Sequence, residues 1–376
     1  MSRVARSGTS QDRAADTPRT FARRSTPIHT PCMNPDVELI SRALSSAAAE
    51  ATTIPELGKV ISERIAPLVP HDGYMLRGVD PITGAACFLT KEHGYGASFY
   101  RALETAEILG HDQHTLTSLI RNGRPVALLE SDPAGGRHGF QHQEIMTATG
   151  VGGEMRVALA TRGMAWGLLV LLRGRDSRPF SPADAANAGR LSHPLAEALK
   201  QYVAGRFLRP VRSAPPPGIV VIDSSDTIRA VTRTGHDWVR RLVPDIETAD
   251  EGEMFAHIWN IALTARQPGR QALSRIPGPD GWIVLQAQLL DEPDLGGVAV
   301  TIQSASSDVL LPAAAVLYGI TSREQEVIRR ALDGLAVKQI ARSLNLSLHT
   351  VNDHFKAIYR KTGVNSREEL VSSLSR

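Results

Sequence analysis

The sequence predicts a multidomain α+β chain, with two mixed α/β units followed by an all-α unit of four short helices. Three observations predict it. Beyond residue 316, apolar residues recur only at helical spacing. Two earlier stretches, 34–205 and 218–303, mix strand-like runs with helical periodicity, and a Pro-rich segment (206–217) separates them. The formal net charge of +3 divides into +4 over residues 1–33 (six Arg, two Asp), +4 over 321–376 (ten Lys/Arg, six Asp/Glu) and −5 between.

Residues 1–33 are rich in Arg, Ser, Thr and Pro, lack hydrophobic periodicity and are expected to be a disordered basic tail. Met33 stands just before the first periodic helix and is an alternative start to Met1. In the first α/β unit, helical spacing runs from Pro35 to Val69, and strand-like runs follow at Gly73–Val79 and Ala85–Leu89. A helical middle spans Ser98–Arg121, Val126–Leu129 is apolar, and strands are expected at Met155–Ala160 and Trp166–Leu172 around a turn at Arg162-Gly163. Ser181 then caps a helix whose first residue is Pro182 and whose apolar positions are Leu191, Leu195, Ala198 and Leu199. In the second unit, Ile219–Asp223 pairs with Asp226–Val231, a helix covers Gly235–Leu242, and Trp282–Leu285 and Val298–Ile302 form an antiparallel meander. Residues 304–315 read as a second linker.

Several function classes find no support. The most apolar run, Ala165–Leu172, is too short to span a bilayer and meets Arg173 at once. The N-terminus has no apolar h-region. Two cysteines, Cys32 and Cys87, lack metal-ligand spacing, so a reducing cytoplasm without a structural disulfide is expected. There is no Gly-x-x-x-x-Gly-Lys phosphate loop, no Gly-x-Ser-x-Gly elbow and no His-Glu-x-x-His, so we expect no enzyme, no metal and no cofactor. His138 and His142 have an i, i+4 spacing, but Gly135, Gly136 and Gly139 argue against a helix there. His111 and His114 read the same way, Cys87 and Trp166 read as core residues, and Asp223 lacks the acidic pair of a receiver site.

The C-terminal unit is the most legible. Thr321 and Glu324 form a capping box, Val327, Ile328, Ala331 and Leu332 share one face, and Gly334 ends the helix. Val337, Ile340, Ala341 and Leu344 define a second helix, and Asn345-Leu346-Ser347 a tight turn. The third helix, Leu348 to Thr362, puts Val351, Phe355, Ile358 and Thr362 on one side and His349, Asn352, Asp353, Lys356 and Arg360 on the other. An apolar back with a hydrogen-bonding, net-basic front suits the major groove of DNA. Ser366–Glu369 opens a last helix with Leu370, Val371 and Leu374.

This constellation resembles the LuxR-type helix-turn-helix: Thr321-x-Arg323-Glu324-x-Glu326-Val327, Lys338-x-Ile340-Ala341, Thr350-Val351-x-x-His354, Tyr359-Arg360-Lys361 and Gly363-Val364-x-Ser366-Arg367. Thr362 departs from the more usual Leu, and Asp353 stands at a groove-facing position where the family varies. The resemblance implies double-stranded DNA as partner, with Asn352, Asp353 and Lys356 towards base edges. It implies Lys338, Ser347, His349, Thr350, Arg360, Lys361 and Arg367 towards phosphates, and Leu370, Val371 and Leu374 pairing two copies into a homodimer that works with RNA polymerase. The unit 34–205 resembles a GAF domain of actinobacterial regulators through Glu154-Met155-Arg156, Trp166-Gly167-Leu168-Leu169, Arg173, Phe180 and the Leu191/Leu195/Leu199 helix. The layout of 218–303 resembles a PAS-like domain. Together these imply a transcription regulator whose sensors take a small molecule. The charge split between body and C-terminal end adds the expectation that the acidic body docks on the basic end. The alternative is an interaction protein whose sensors bind proteins and whose helix-turn-helix contacts polymerase rather than DNA.

Overall fold

The computed structural model describes residues 37–110, 112–130, 144–208, 215–242, 251–278, 281–291 and 296–374. The basic tail, Cys32, His111, His138 and His142 lie outside the described residues, as do residues 209–214 of the Pro-rich linker.

The helical stretch expected over 35–69 is two helices, α1 (Val37–Glu50) and α2 (Ile54–Ile65). The break has a local cause. The Thr53 hydroxyl accepts from the Glu56 amide, the Glu56 carboxylate accepts from the Thr53 amide, and Pro55 fits only the first turn of a new helix. Strands β1 (Gly73–Val79), β2 (Ala86–Glu92), β3 (Val126–Glu130), β4 (Val151–Thr161) and β5 (Met164–Gly174) form an antiparallel sheet in the order β2-β1-β5-β4-β3. Arg162 and Gly163, with φ of 51° and 78°, make the two-residue turn between β4 and β5, the hand that suits twisted strands.

Side chains alternate across this sheet. Val157 and Leu169 face a core shared with α1, α2 and α5 (Pro182–Phe207), while Ala158 and Leu168 face α4 (Leu116–Arg121). Helix α3 (Ala97–Ile108) precedes α4. Near α3 and α4 the sheet carries buried charge. Arg156 donates to Glu154 at 2.6 Å, to Asp112 at 2.5 Å and to the His114 carbonyl at 3.0 Å, and the Tyr95 hydroxyl donates to Glu154 at 2.5 Å.

The second domain has β6 (Gly218–Ile222), β7 (Ile228–Val231), α6 (Arg233–Leu242), α7 (Glu251–Ala265), β8 (Leu273–Gly278), β9 (Gly281–Leu289) and β10 (Val298–Ser304). Its sheet is antiparallel in the order β7-β6-β10-β9-β8. Ile283 and Leu285 enter the domain's own core, and Trp282 and Val284 on the opposite face join the core of the first domain. The expected meander is present, while α7 and β8 were not foreseen.

The two sheets meet edge to edge. Strand β8 has an unpaired side, and the β1–β2 turn supplies its partners. Thr83 Oγ1 donates to the Leu273 carbonyl at 2.7 Å, the Arg275 amide donates to Asp80 Oδ2 at 3.2 Å, and Ser274 Oγ donates to the Ala86 carbonyl at 2.7 Å. Arg275 Nη1 also donates to Asp80 Oδ2 at 2.6 Å, with side chains only 5% and 0% exposed. Asp80 Oδ1 accepts from the Ile82 and Thr83 amides, so the buried carboxylate is fully partnered. Across α3 and α7, Arg101 bridges to Asp226 at 3.1 Å and lies 4.2 Å over the Trp259 ring.

The third bond of Arg275 leaves the sheets: Nε donates to the Val309 carbonyl at 2.6 Å. Val309 begins α8 (Ser307–Tyr318), which replaces most of the connection expected over 304–315. Leu310, Leu311, Ala313, Ala314, Ala315 and Leu317 are all buried in it, so α8 is apolar nearly all round and works as a core element. Tyr318 donates to the Ala204 carbonyl of α5 at 2.6 Å. One apolar cluster thus runs from α1 through α5, Trp282 and α8 into the C-terminal helices.

Removing one partner of a buried pair strands the other charge. Arg275→Ala should therefore lower unfolding free energy by roughly 3–5 kcal/mol, read from urea denaturation, and the double variant with Asp80→Asn should recover part of it. A loss below about 1 kcal/mol would mean the pair adds nothing to the junction.

Candidate nucleic-acid interface

The C-terminal domain is four helices, α9 (Ser322–Leu332), α10 (Val337–Ser343), α11 (Leu348–Thr362) and α12 (Arg367–Leu374). Local chemistry sets each boundary. Thr321 and Glu324 cap α9 reciprocally, with the Glu324 carboxylate 2.7 Å from the Thr321 amide. Gly334 (φ 79°) ends α9, and Asn345 (φ 54°) turns the chain between α10 and α11. Ser347 Oγ accepts from the Thr350 amide at 3.0 Å, and Gly363 (φ 77°) closes α11. At α12, Ser366 Oγ accepts from the Glu369 amide, and Glu369 reaches back to the Asn365 amide, one residue earlier than a capping box requires.

Val351, Phe355 and Ile358 are buried and fix the rotation of α11. Opposite them Asn352, Asp353, Lys356 and Arg360 are exposed, and His349 and Lys356 keep 85% and 74% of their side-chain surface. Asp353 stands between His349 and Lys356, with Oδ2 3.2 Å from His349 Nε2 and Oδ1 3.3 Å from Lys356 Nζ. Lys338 on α10 is exposed, and the Ser347 and Thr350 hydroxyls meet at 2.8 Å beside the positive end of α11. The arrangement offers donors, one acceptor carboxylate and free cations on one convex ridge, which is the chemistry that base edges and phosphates recognise.

Not every residue expected at this surface stands there. Lys361 donates to Glu324 Oε2 at 2.6 Å and is 25% exposed, tying α11 to the cap of α9. Arg367 donates to the Leu335 carbonyl at 2.5 Å, bracing the α9–α10 turn. Arg323 does the same for the end of α10, donating to the Leu344 carbonyl at 2.6 Å. The expected pairing helix packs within the chain. Leu370 and Leu374 are each 1% exposed in the chain's own core, where α12 packs on α8 and α9. Val371 alone of the three keeps partial exposure. The sequence reading passed over Leu348, an apolar side chain 48% exposed at the start of α11.

The acidic body does not cover this ridge. Among the described residues no ion pair joins it to the C-terminal domain, and the junction is the apolar cluster around α8. Cys87 and Trp166 are core residues, as expected; Trp166 Nε1 donates to Thr161 Oγ1 at 2.8 Å. Among the described residues no helix is long and apolar enough to cross a membrane.

Residues 319–374 match the family model for bacterial regulatory proteins of the luxR family. The four C-terminal helices are a luxR-family helix-turn-helix domain. The monoamine regulon transcriptional regulator of Klebsiella aerogenes is 43% identical over 53 residues, which is 14% of this chain and 23% of that protein. The probable HTH-type transcriptional regulator GfsR of Streptomyces halstedii is 27% identical over 125 residues, 33% of this chain and 48% of that one. The chain therefore spans less than half the length of these relatives. Among solved structures, a GAF domain from a Coxiella burnetii phosphoenolpyruvate-protein phosphotransferase covers 45% of this chain and 95% of its own, at 17% identity and a TM-score of 0.29. SdiA of Escherichia coli covers 90% and 96%, at 12% identity and a TM-score of 0.34. Scores this low carry no function across.

Within the luxR-family domain, Glu324 is the buried charge on which two helices meet. Burial pulls its carboxyl pKa up, but the Lys361 hydrogen bond and those from Thr321 outweigh it and hold the pKa below the ordinary value. A lowered carboxylate contributes stability above the unfolded pKa and loses it as pH falls through the folded value. The urea midpoint of the domain should therefore fall as pH drops below about 4.5, and Glu324→Gln should flatten that acid limb while lowering the neutral plateau. Parallel acid limbs in the two chains would contradict this.

Proposed function

We propose that the chain is a sequence-specific DNA-binding transcription regulator in which two α/β domains sense a signal and α11 reads the major groove. The observation that carries this reading is the split surface of α11: three buried apolar residues seat it, and the opposite ridge of Asn352, Asp353, Lys356 and Arg360 stands open in the full chain. The luxR-family match over 319–374 supports it. Lys338, Ser347, His349, Thr350 and Arg360 hold phosphates in this reading; Lys361 and Arg367 act through the scaffold that orients α11. The chain works as a homodimer, and its pairing surface lies outside Leu370 and Leu374.

Coupling follows from the junction. Helix α8 touches α5 of the first domain, Arg275 of the second and the C-terminal helices, so a small molecule bound in either sensor reaches the reading head by changing how α8 is seated. Occlusion of the ridge is not needed.

Titrations on a selected and a scrambled duplex at several salt concentrations test the reading. Affinity should fall steeply with salt on both duplexes, as counterion release requires. Binding that ignores salt, or none, would favour a protein partner such as polymerase. Lys356→Ala should cost roughly 1–3 kcal/mol on the selected duplex and relax preference at one base pair. Arg360→Ala should weaken both duplexes alike and reduce the salt slope by about one.

Asp353 gives a sharper outcome. It is exposed beside His349 and Lys356, where it repels phosphate yet can accept from a cytosine amine. Asp353→Ala should tighten binding to the scrambled duplex and weaken the selected one. Equal tightening on both would make Asp353 a repellent without a base partner.

A further inference from the structure

We infer that Leu348 is a specificity residue that reads the C5 methyl of a thymine in the major groove. The inference rests on the reading of α11 as the groove helix and names a contact that its polar ridge leaves out.

Three observations point to it. First, Leu348 is 48% exposed, and among the described residues of the C-terminal domain it is the one large apolar side chain left so. Second, it heads a row. Leu348, Asn352, Lys356 and Arg360 follow one another at i+4, so they form one ridge along α11, and all are exposed. Leu348 stands at the N-terminal end of that ridge, the end that a groove-reading helix presents to base edges.

Third, the fold has no use for Leu348. A helix start is commonly fixed by an apolar staple between the residue before the cap and the fourth helical residue. Here those positions are Leu346 and Val351, and both belong to the apolar cluster. The cap itself is Ser347, whose hydroxyl already accepts from the Thr350 amide. Leu348 is thus outside cap, staple and apolar cluster, at the open N-terminal end of the helix face that Phe355 continues inward.

The base chemistry supplies the partner. In the major groove, thymine alone presents a methyl group, and apolar side chains select it by contact. The polar ridge reads donors and acceptors through Asn352, Asp353 and Lys356, which leaves a methyl unread without an apolar member. Burying one methyl against Leu348 is worth about four-fold in affinity.

The test uses the full chain and a duplex selected by that chain from a random pool. Each thymine is replaced singly by deoxyuridine, which removes only the C5 methyl. One thymine in each site bound by a reading head should lose about four-fold on replacement. The Leu348→Ser chain should bind the thymine duplex about four-fold more weakly and show no further loss on replacement at that position. Leu348→Met, which keeps an apolar tip, should retain the methyl dependence, and the far-ultraviolet circular dichroism of both variants should match the parent. Wild-type affinity insensitive to every replacement overturns the inference, and so does a methyl dependence that persists undiminished in Leu348→Ser. In both cases the selected duplex still shows that the groove reading stands. If the chain selects no duplex at all, that reading falls and the contact falls with it.

Discussion

A helix that is apolar almost all round must be covered on every side, and that requirement on α8 sets where the rest of the chain stands. Leu310, Leu311, Ala313, Ala314 and Leu317 are buried, and only the Asp308, Pro312 and Val316 edge keeps access to solvent. The first domain covers part of it with α5 and the C-terminal domain with α9 and α12, while Trp282 and Val284 of the second domain belong to the same apolar cluster. Arg275 then fixes the seating by direction, since apolar contact is non-directional and a guanidinium is not. Its Nη1 is held by Asp80 of the first domain, its backbone belongs to the second, and its Nε is spent on the Val309 carbonyl of α8. Three units are registered by one side chain.

The C-terminal domain divides its cations in the same spirit. Arg323, Lys361 and Arg367 point inward and close on Leu344, Glu324 and Leu335. Lys338, Lys356 and Arg360 point outward. The inward set ties α9, α10 and α11 together, and the outward set stands exposed to solvent. The positive balance of residues 321–376 therefore overstates the charge available to a partner, and Asp353 reduces it further at the centre of the ridge. That placement favours discrimination over tight general binding.

Much of this was legible where local chemistry decides. The caps at Ser181, Thr321 and Ser347, the turn at Arg162-Gly163 and the buried face of α11 all follow from residue types at fixed spacing. The break between α1 and α2 carried the same kind of signal in Thr53, Pro55 and Glu56, and a longer helical period obscured it. What depends on contacts distant in sequence was not legible. Helix α8 resembles a linker because Pro312 interrupts it and no polar face gives it a period. Strand β8 has polar Ser274 and Arg275 at its centre, and their partners lie some 190 residues earlier in the chain. Leu370 and Leu374 have the spacing of an outward apolar stripe, and only the position of α8 and α9 turns that stripe inward. Lys361 looks like any groove-side cation until Glu324 is placed beneath it.

The central claim is that α8 is a shared core element joining the two α/β domains to the C-terminal helices, and native-state hydrogen exchange tests it most directly. Amides between Leu310 and Leu317 in the full chain should open only with a free energy comparable to that of the buried turns of α2 and α11, as befits a helix covered by three domains. Exchange of those amides at loop-like rates, while α2 and α11 stay protected, would show that the domains are tethered through α8 rather than built on it, and would contradict the account.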